Sequence, residues 1–112
     1  MAFQAEYFQV GNIIDYTPGA DVAAGEVVVQ GELVGVARQV ILANALGALA
    51  ISGVFKFAKD NATAFAVGVL VYWDVADNEA TEDADTGTNK LIGKTVLAAA
   101  DTDTILLARL DQ

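Results

Sequence analysis

Residues Gly47–Asp74 read GALAISGVFKFAKDNATAFAVGVLVYWD. The stretch holds the single Trp, Trp73, together with Tyr72 and three of the five Phe: Phe55, Phe57 and Phe65. Ala48–Phe57 and Val69–Trp73 are rich in β-branched and aromatic residues and are bounded by Gly and by Asp60-Asn61. Each reads as a strand. The intervening KDNATAFAVG is a polar turn followed by an apolar climb back to Gly68. The pattern predicts two core strands joined by an excursion, with Phe55, Phe57, Tyr72 and Trp73 as the core scaffold.

Upstream, residues 1–10 (MAFQAEYFQV) carry aromatics on both faces of an extended chain. They suit either an edge strand or an arm that pairs with a neighbour. Asn12–Thr17 is a short strand stopped by the turn dipeptide Pro18-Gly19. Glu26–Gln30 is a Val-rich strand ended by Gly31, and Leu33–Ala37 follows a tight turn. Arg38–Leu46 fits a short helix or a strand that runs into a turn at Asn44–Gly47. The strands around it favour strand then loop. Gly25-Glu-Val-Val-Val-Gln-Gly31 is echoed by Gly47-Ala-Leu-Ala-Ile-Ser-Gly53. That rhythm belongs to hairpins and is too short for a solenoid.

Downstream, residues 74–89 (DVADNEATEDADTGTN) are polar and acidic, with no base between Lys59 and Lys90. They read as a surface loop or loose hairpin. Leu91–Leu97 and Thr104–Leu110 then form two closing strands. The expected fold is all-β: a small single-domain β-barrel or β-sandwich with an extended N-terminal segment. One domain spans residues 1–112, with 1–10 as an arm and 74–89 as the acidic loop.

The composition narrows the chemistry. The chain has 112 residues, no Cys and no His. Disulfides, thiolates and the commonest general base and metal ligand are therefore absent from its inventory. Its formal net charge of −9, with only six scattered basic residues, argues against a nucleic-acid partner. The apolar fraction is 54%, yet no run approaches the ~18 apolar residues of a membrane helix. The N-terminus lacks the basic and apolar regions of a signal peptide. High apolarity without a membrane span points to a tight core, a subunit interface, or both.

Three motifs hint at chemistry and none is complete. Gly93-Lys94-Thr95 resembles the tail of a phosphate loop, but the pattern needs Gly where Thr88 stands. Asp83-Ala-Asp85-Thr-Gly87-Thr-Asn89 echoes a Ca²⁺ loop, yet its Gly is one position early and Lys94 stands where a bidentate Glu belongs. Asp74 beside Tyr72-Trp73 could serve in a glycosidase-type carboxylate pair, though a strand end and turn cap is the simpler role. No cofactor is expected.

Taken together, certain pieces resemble a known family. They are G-x-x-x-x-Y-T-P at Gly11–Pro18, A-G-E-V-V-V at Ala24–Val29, L-V-G-V-A at Leu33–Ala37 and L-A-I-S-G-V-F-K-F-A-K at Leu49–Lys59. G-V-L-V-Y-W-D at Gly68–Asp74, I-G-K at Ile92–Lys94 and L-L-A-R-L at Leu106–Leu110 complete the set. In order and spacing the chain is similar to the tailed-phage capsid cement (head decoration) proteins, a family sometimes mislabelled as a recombinase. The incomplete phosphate loop and the acidic charge contradict that label here.

The resemblance implies a non-enzymatic β protein made in the bacterial host cytoplasm and carried on the outer capsid surface of the virion. There it would bind the major capsid protein and bridge neighbouring subunits as a homo-oligomer, a trimer favoured over a dimer. Phe3, Tyr7 and Phe8 are the expected capsid or subunit contacts, and neither nucleic acid nor membrane is an expected partner. A second reading is a small ligand- or Ca²⁺-binding β module that uses loop 74–89.

Overall fold

The computed structural model describes residues 4–112. Its strands are β1 (Ile13–Tyr16), β2 (Val27–Gln30), β3 (Leu33–Ala37), β4 (Gly47–Ala50), β5 (Gly53–Ala58), β6 (Leu70–Asp74), β7 (Glu79–Thr81), β8 (Lys90–Thr95) and β9 (Ile105–Leu110). One 3₁₀ turn, Asp85–Gly87, interrupts them. The strands form two antiparallel sheets. The first has four strands in the order β1-β4-β3-β2, and the second has five in the order β5-β9-β8-β6-β7. The fold is all-β, as expected, and of the two architectures left open it is closer to the sandwich. The second sheet curls until its edges touch at one bridge, Lys59 to Ala80, and stops short of a closed barrel.

The core lies between the sheets. Alternation sends Val27, Val29, Val34 and Val36 of the first sheet against Phe57, Val71, Trp73, Ile92, Leu106, Ala108 and Leu110 of the second. The other face of the first sheet is covered by loops. Val22 and Ile41, bridged to each other, close over Leu49, Ala37, Ile14, Tyr16 and Val28. Strand β3 is thus covered on both faces, which is why Val34–Ala37 are all buried. Gly47 has no space for a side chain, because a Cβ would lie 2.7 Å from two carbons of Ile41.

Two expectations, on Ala48–Phe57 and on Arg38–Leu46, need correction. Ala48–Phe57 is not one strand. It breaks at Ile51-Ser52, so that β4 lies in one sheet and β5 in the other. Ile51 N–H donates to the Asn12 carbonyl, the Ser52 hydroxyl meets Asn12 Oδ1, and Gly53 turns the chain at φ +123°. Strands β5 and β6 share a sheet but are not neighbours, since β9 and β8 lie between them. Arg38–Leu46 is a loop with one bridge residue, Ile41, and not strand then loop. Asp21 Oδ1 accepts from Ala43 N–H, the Pro18 carbonyl accepts from Asn44 N–H, and Asn44 adopts φ +63°. The acidic segment does form a loose hairpin: β7 pairs with β6 through Tyr72–Thr81, Trp73–Ala80 and Asp74–Glu79.

Candidate interaction surfaces

The incomplete motifs have structural employment. Gly93 sits at a bulge in β8, where Val71 faces Gly93 and Tyr72 faces Leu91, leaving Ile92 as the extra residue. A Cβ on Gly93 would collide with the Arg109 carbonyl at 2.0 Å. Lys94 is exposed. The buried Thr95 hydroxyl donates to the Ala66 carbonyl at 2.6 Å and accepts from Val69 N–H at 3.2 Å. Gly-Lys-Thr therefore clamps the 66–69 loop to the second sheet, and no helix follows it to present amides to a phosphate.

Two carboxylates of the acidic loop, those of Asp74 and Asp83, bond its own backbone. Asp74 Oδ1 accepts from the N–H groups of Ala76 and Asp77 and so caps the β6–β7 turn. Asp83 Oδ1 accepts from Asp85 N–H at 2.8 Å. Among the described residues no three acidic side chains converge as a metal-ion set. Glu79 is half-buried, and its pKa is pushed up first by that burial and then by the carboxylates of Asp60, Asp77 and Asp74. The Asp60 pKa is held down, chiefly by the N–H it accepts from Ala62 and with help from Thr63 and the Lys59 ammonium.

Lys59 was not singled out by its sequence context, yet its surroundings are unusual. It is 5% exposed. Its ammonium donates to four backbone carbonyls: Asp60 at 2.6 Å, Asp103 at 2.6 Å, Ala100 at 3.3 Å and Asp101 at 3.4 Å. The Phe65 ring lies 5.9 Å from Nζ. A lysine that fits a carbonyl cage this closely ties loop 59–65 to loop 100–104 and leaves no room for a ligand.

Of the predicted scaffold residues, Phe57 and Trp73 are buried and in tilted contact at 6.1 Å, while Phe55 and Tyr72 are half-buried. Phe55 meets Phe57 edge to face at 6.2 Å. Together with Val27 and Val36, Phe55, Phe57 and Trp73 line a cleft of about 730 Å³ that opens between the sheets. Glu26 and Lys56 are its charged lining residues.

Of the predicted contact residues, Phe3 lies outside the described residues. Tyr7 and Phe8 are 79% and 90% exposed, on a segment of residues 4–12 that joins neither sheet. The one side-chain tie from this segment to β1 runs from Gln9 Nε2 to the Ile13 carbonyl at 3.3 Å. A second apolar surface was not anticipated. Val40, Leu42 and Leu46 project outward from loop 38–46, and with Ile13 they line a depression of about 590 Å³. The signal was present as alternation, with Val40 and Leu42 outward and Ile41 inward.

Among the described residues, apolar side chains stand exposed both on the segment before β1 and on loop 38–46. The family model described as phage cement protein matches residues 8–110. The chain belongs to that family. No curated protein and no solved structure matches it. As a cement-family protein it associates with the phage capsid, and the match spans both sheets and begins within the exposed segment, at Phe8. Among the described residues no helix is long and apolar enough to cross a membrane.

Proposed function

We propose that this cement-family chain is a structural, non-enzymatic protein of the virion. It binds the major capsid protein on the outer surface of the assembled capsid and holds neighbouring capsid subunits together. Copies are made in the host cytoplasm, associate as trimers, and add to the finished lattice. Because each copy binds the lattice better than it binds free capsid subunits, occupancy stabilises the lattice by mass action.

The observation that carries this reading is the segment before β1. Tyr7 and Phe8 stand in solvent on backbone that pairs with neither sheet. A segment whose backbone is unpaired within its own protein is free to add to another protein's sheet edge, its side chains filling pockets there. Phe3 belongs to the same stretch of sequence and is assigned the same role.

The test is co-sedimentation with expanded empty capsids of the phage that encodes the chain. The wild type is expected to pellet with the capsids and to raise their melting temperature. Tyr7→Ser with Phe8→Ser is expected to stay in the supernatant while melting like the wild type on its own. Wild-type protein that never pellets with these capsids would refute the reading.

A further inference from the structure

The second sheet covers only part of the first. The inter-sheet core draws on β2 and β3 of the first sheet but on no residue of β1 or β4. Ala50 pairs with Val36 and therefore points to the same side, towards the second sheet. Ile13 pairs with Ala50, and Asp15 with Ala48, so these four residues share that face. Beyond the edge of the second sheet the face lies open. Exposed Ala48 lies at its floor beside Ala50, which is only 5% exposed, with Ile13, Val40, Leu42 and Leu46 along the depression. Leu46 is 73% exposed. The loop that carries it is pinned by Asp21 and Pro18, so the surface is preformed.

We propose that a second copy of this chain docks on this open half of the first sheet. The proposal rests on the oligomeric part of the reading above and names the surface that serves it. Charge marks this face as the one on which two copies can meet. The chain carries −9 overall, so two copies repel across most of their surface. Residues 38–50 hold a single charged side chain, Arg38. It lines the depression, and Asp15 stands on the same face opposite Ala48. Both are exposed, and among the described residues neither belongs to an ion pair. A surface with one unpaired cation and one unpaired anion beside an apolar floor is complementary to itself. Around a three-fold axis, Arg38 of each copy meets Asp15 of the next while the aliphatic side chains are buried between them.

The test uses the full chain alone, by sedimentation velocity over a range of concentrations. The wild type is expected to be oligomeric. Leu46→Asp is expected to give a monomer, as are Arg38→Asp and Asp15→Arg separately. The double variant Arg38→Asp/Asp15→Arg is expected to recover the oligomer, a rescue that only a partner with the same sequence produces. Thermal melts of each variant check that the exposed substitutions leave the protomer folded.

A concentration-independent wild-type monomer overturns the proposal. So does an oligomer indifferent to all three single variants, or a double variant that stays monomeric. Capsid co-sedimentation of the same samples keeps the two readings apart. An oligomer that fails to bind capsids refutes only the capsid reading. Variants that keep the oligomer but lose the capsid show that this face belongs to the capsid and overturn the proposal.

Discussion

Gln112 binds Val34 through both ends of its side-chain amide. Val34 N–H donates to Oε1 at 2.6 Å, and Nε2 donates to the Val34 carbonyl at 2.7 Å. Strand β4 reaches β3 only at Val36 and Ala37, so the backbone of Val34 has no strand partner on that side. The amide supplies a donor and an acceptor at the spacing of a peptide unit and completes the ladder. It also joins the end of the second sheet to the centre of the first.

Gln112→Ala should therefore cost more than an exposed polar residue usually does. It leaves one donor and one acceptor of a buried valine unpaired, worth about 1–3 kcal/mol. Gln112→Glu should be worse at neutral pH, because a carboxylate oxygen would face the Val34 carbonyl. Protonation restores a donor, so its deficit should shrink in acid. Urea unfolding of both variants at neutral and acidic pH measures this, and equal deficits at the two pH values would contradict it.

The Lys59 cage predicts a large effect from a residue outside any functional site. Lys59→Met keeps the stem and removes the ammonium, leaving the Asp60, Ala100, Asp101 and Asp103 carbonyls without their shared donor. The expected loss is about 2–4 kcal/mol. Lys56→Met, on the exposed face of β5, should fall within about 0.5 kcal/mol of wild type. Similar unfolding midpoints for the two variants would show that water satisfies the carbonyls and that the cage is not needed.

Gly93 and Gly68 both adopt positive φ, but they are constrained differently. At Gly68 a Cβ would meet open space, so Gly68→Ala should cost only its backbone strain, about 1 kcal/mol. At Gly93 a Cβ would overlap the Arg109 carbonyl, and β8 cannot move away without breaking its pairing with β9. Gly93→Ala should cost about 3 kcal/mol or more, or abolish soluble expression. Comparable melting temperatures for the two alanine variants would contradict the bulge geometry.

These cases show why some of the fold was legible in the sequence and some was not. The reading of Leu33–Ala37 as a strand matches β3 because local alternation and flanking turns carry the signal. The break at Ile51-Ser52 was hidden, because each half is strand-like and only the pairing with Asn12 divides them. Lys59 and Lys56 look alike in Phe55-Lys-Phe-Ala-Lys59. The chain beyond β5, bridged to Ala80, turns one inward and leaves the other in water. Val40, Leu42 and Leu46 are apolar, yet loop 38–46 turns all three outward, which neither a helix nor a strand reading of the segment states. Tyr7 and Phe8 were legible as contact candidates because no polar alternation gave them an inner face.

The pH dependence should carry two opposed contributions from one corner of the second sheet. The Asp60 pKa is lowered on folding by the N–H of Ala62, by Thr63 and by Lys59. The folded protein therefore binds this proton less tightly than the unfolded chain. Its stabilisation is present above the ordinary aspartate value and is lost as pH falls through the depressed folded value. The Glu79 pKa is raised, by burial first and by Asp60, Asp77 and Asp74 after it. Its sign is opposite: its contribution is most favourable below the ordinary glutamate value and is lost as pH rises through the raised folded value. Asp60→Asn should therefore be destabilising at neutral pH and nearly silent in strong acid. Glu79→Gln should be mildly stabilising at neutral pH, with a gain that disappears as the medium is acidified and wild-type Glu79 takes up its proton. Melting temperatures of the two variants across this range decide the matter. A Glu79→Gln gain that grows in acid would mean that Glu79 is held charged by a partner and that the acidic corner is not repulsive.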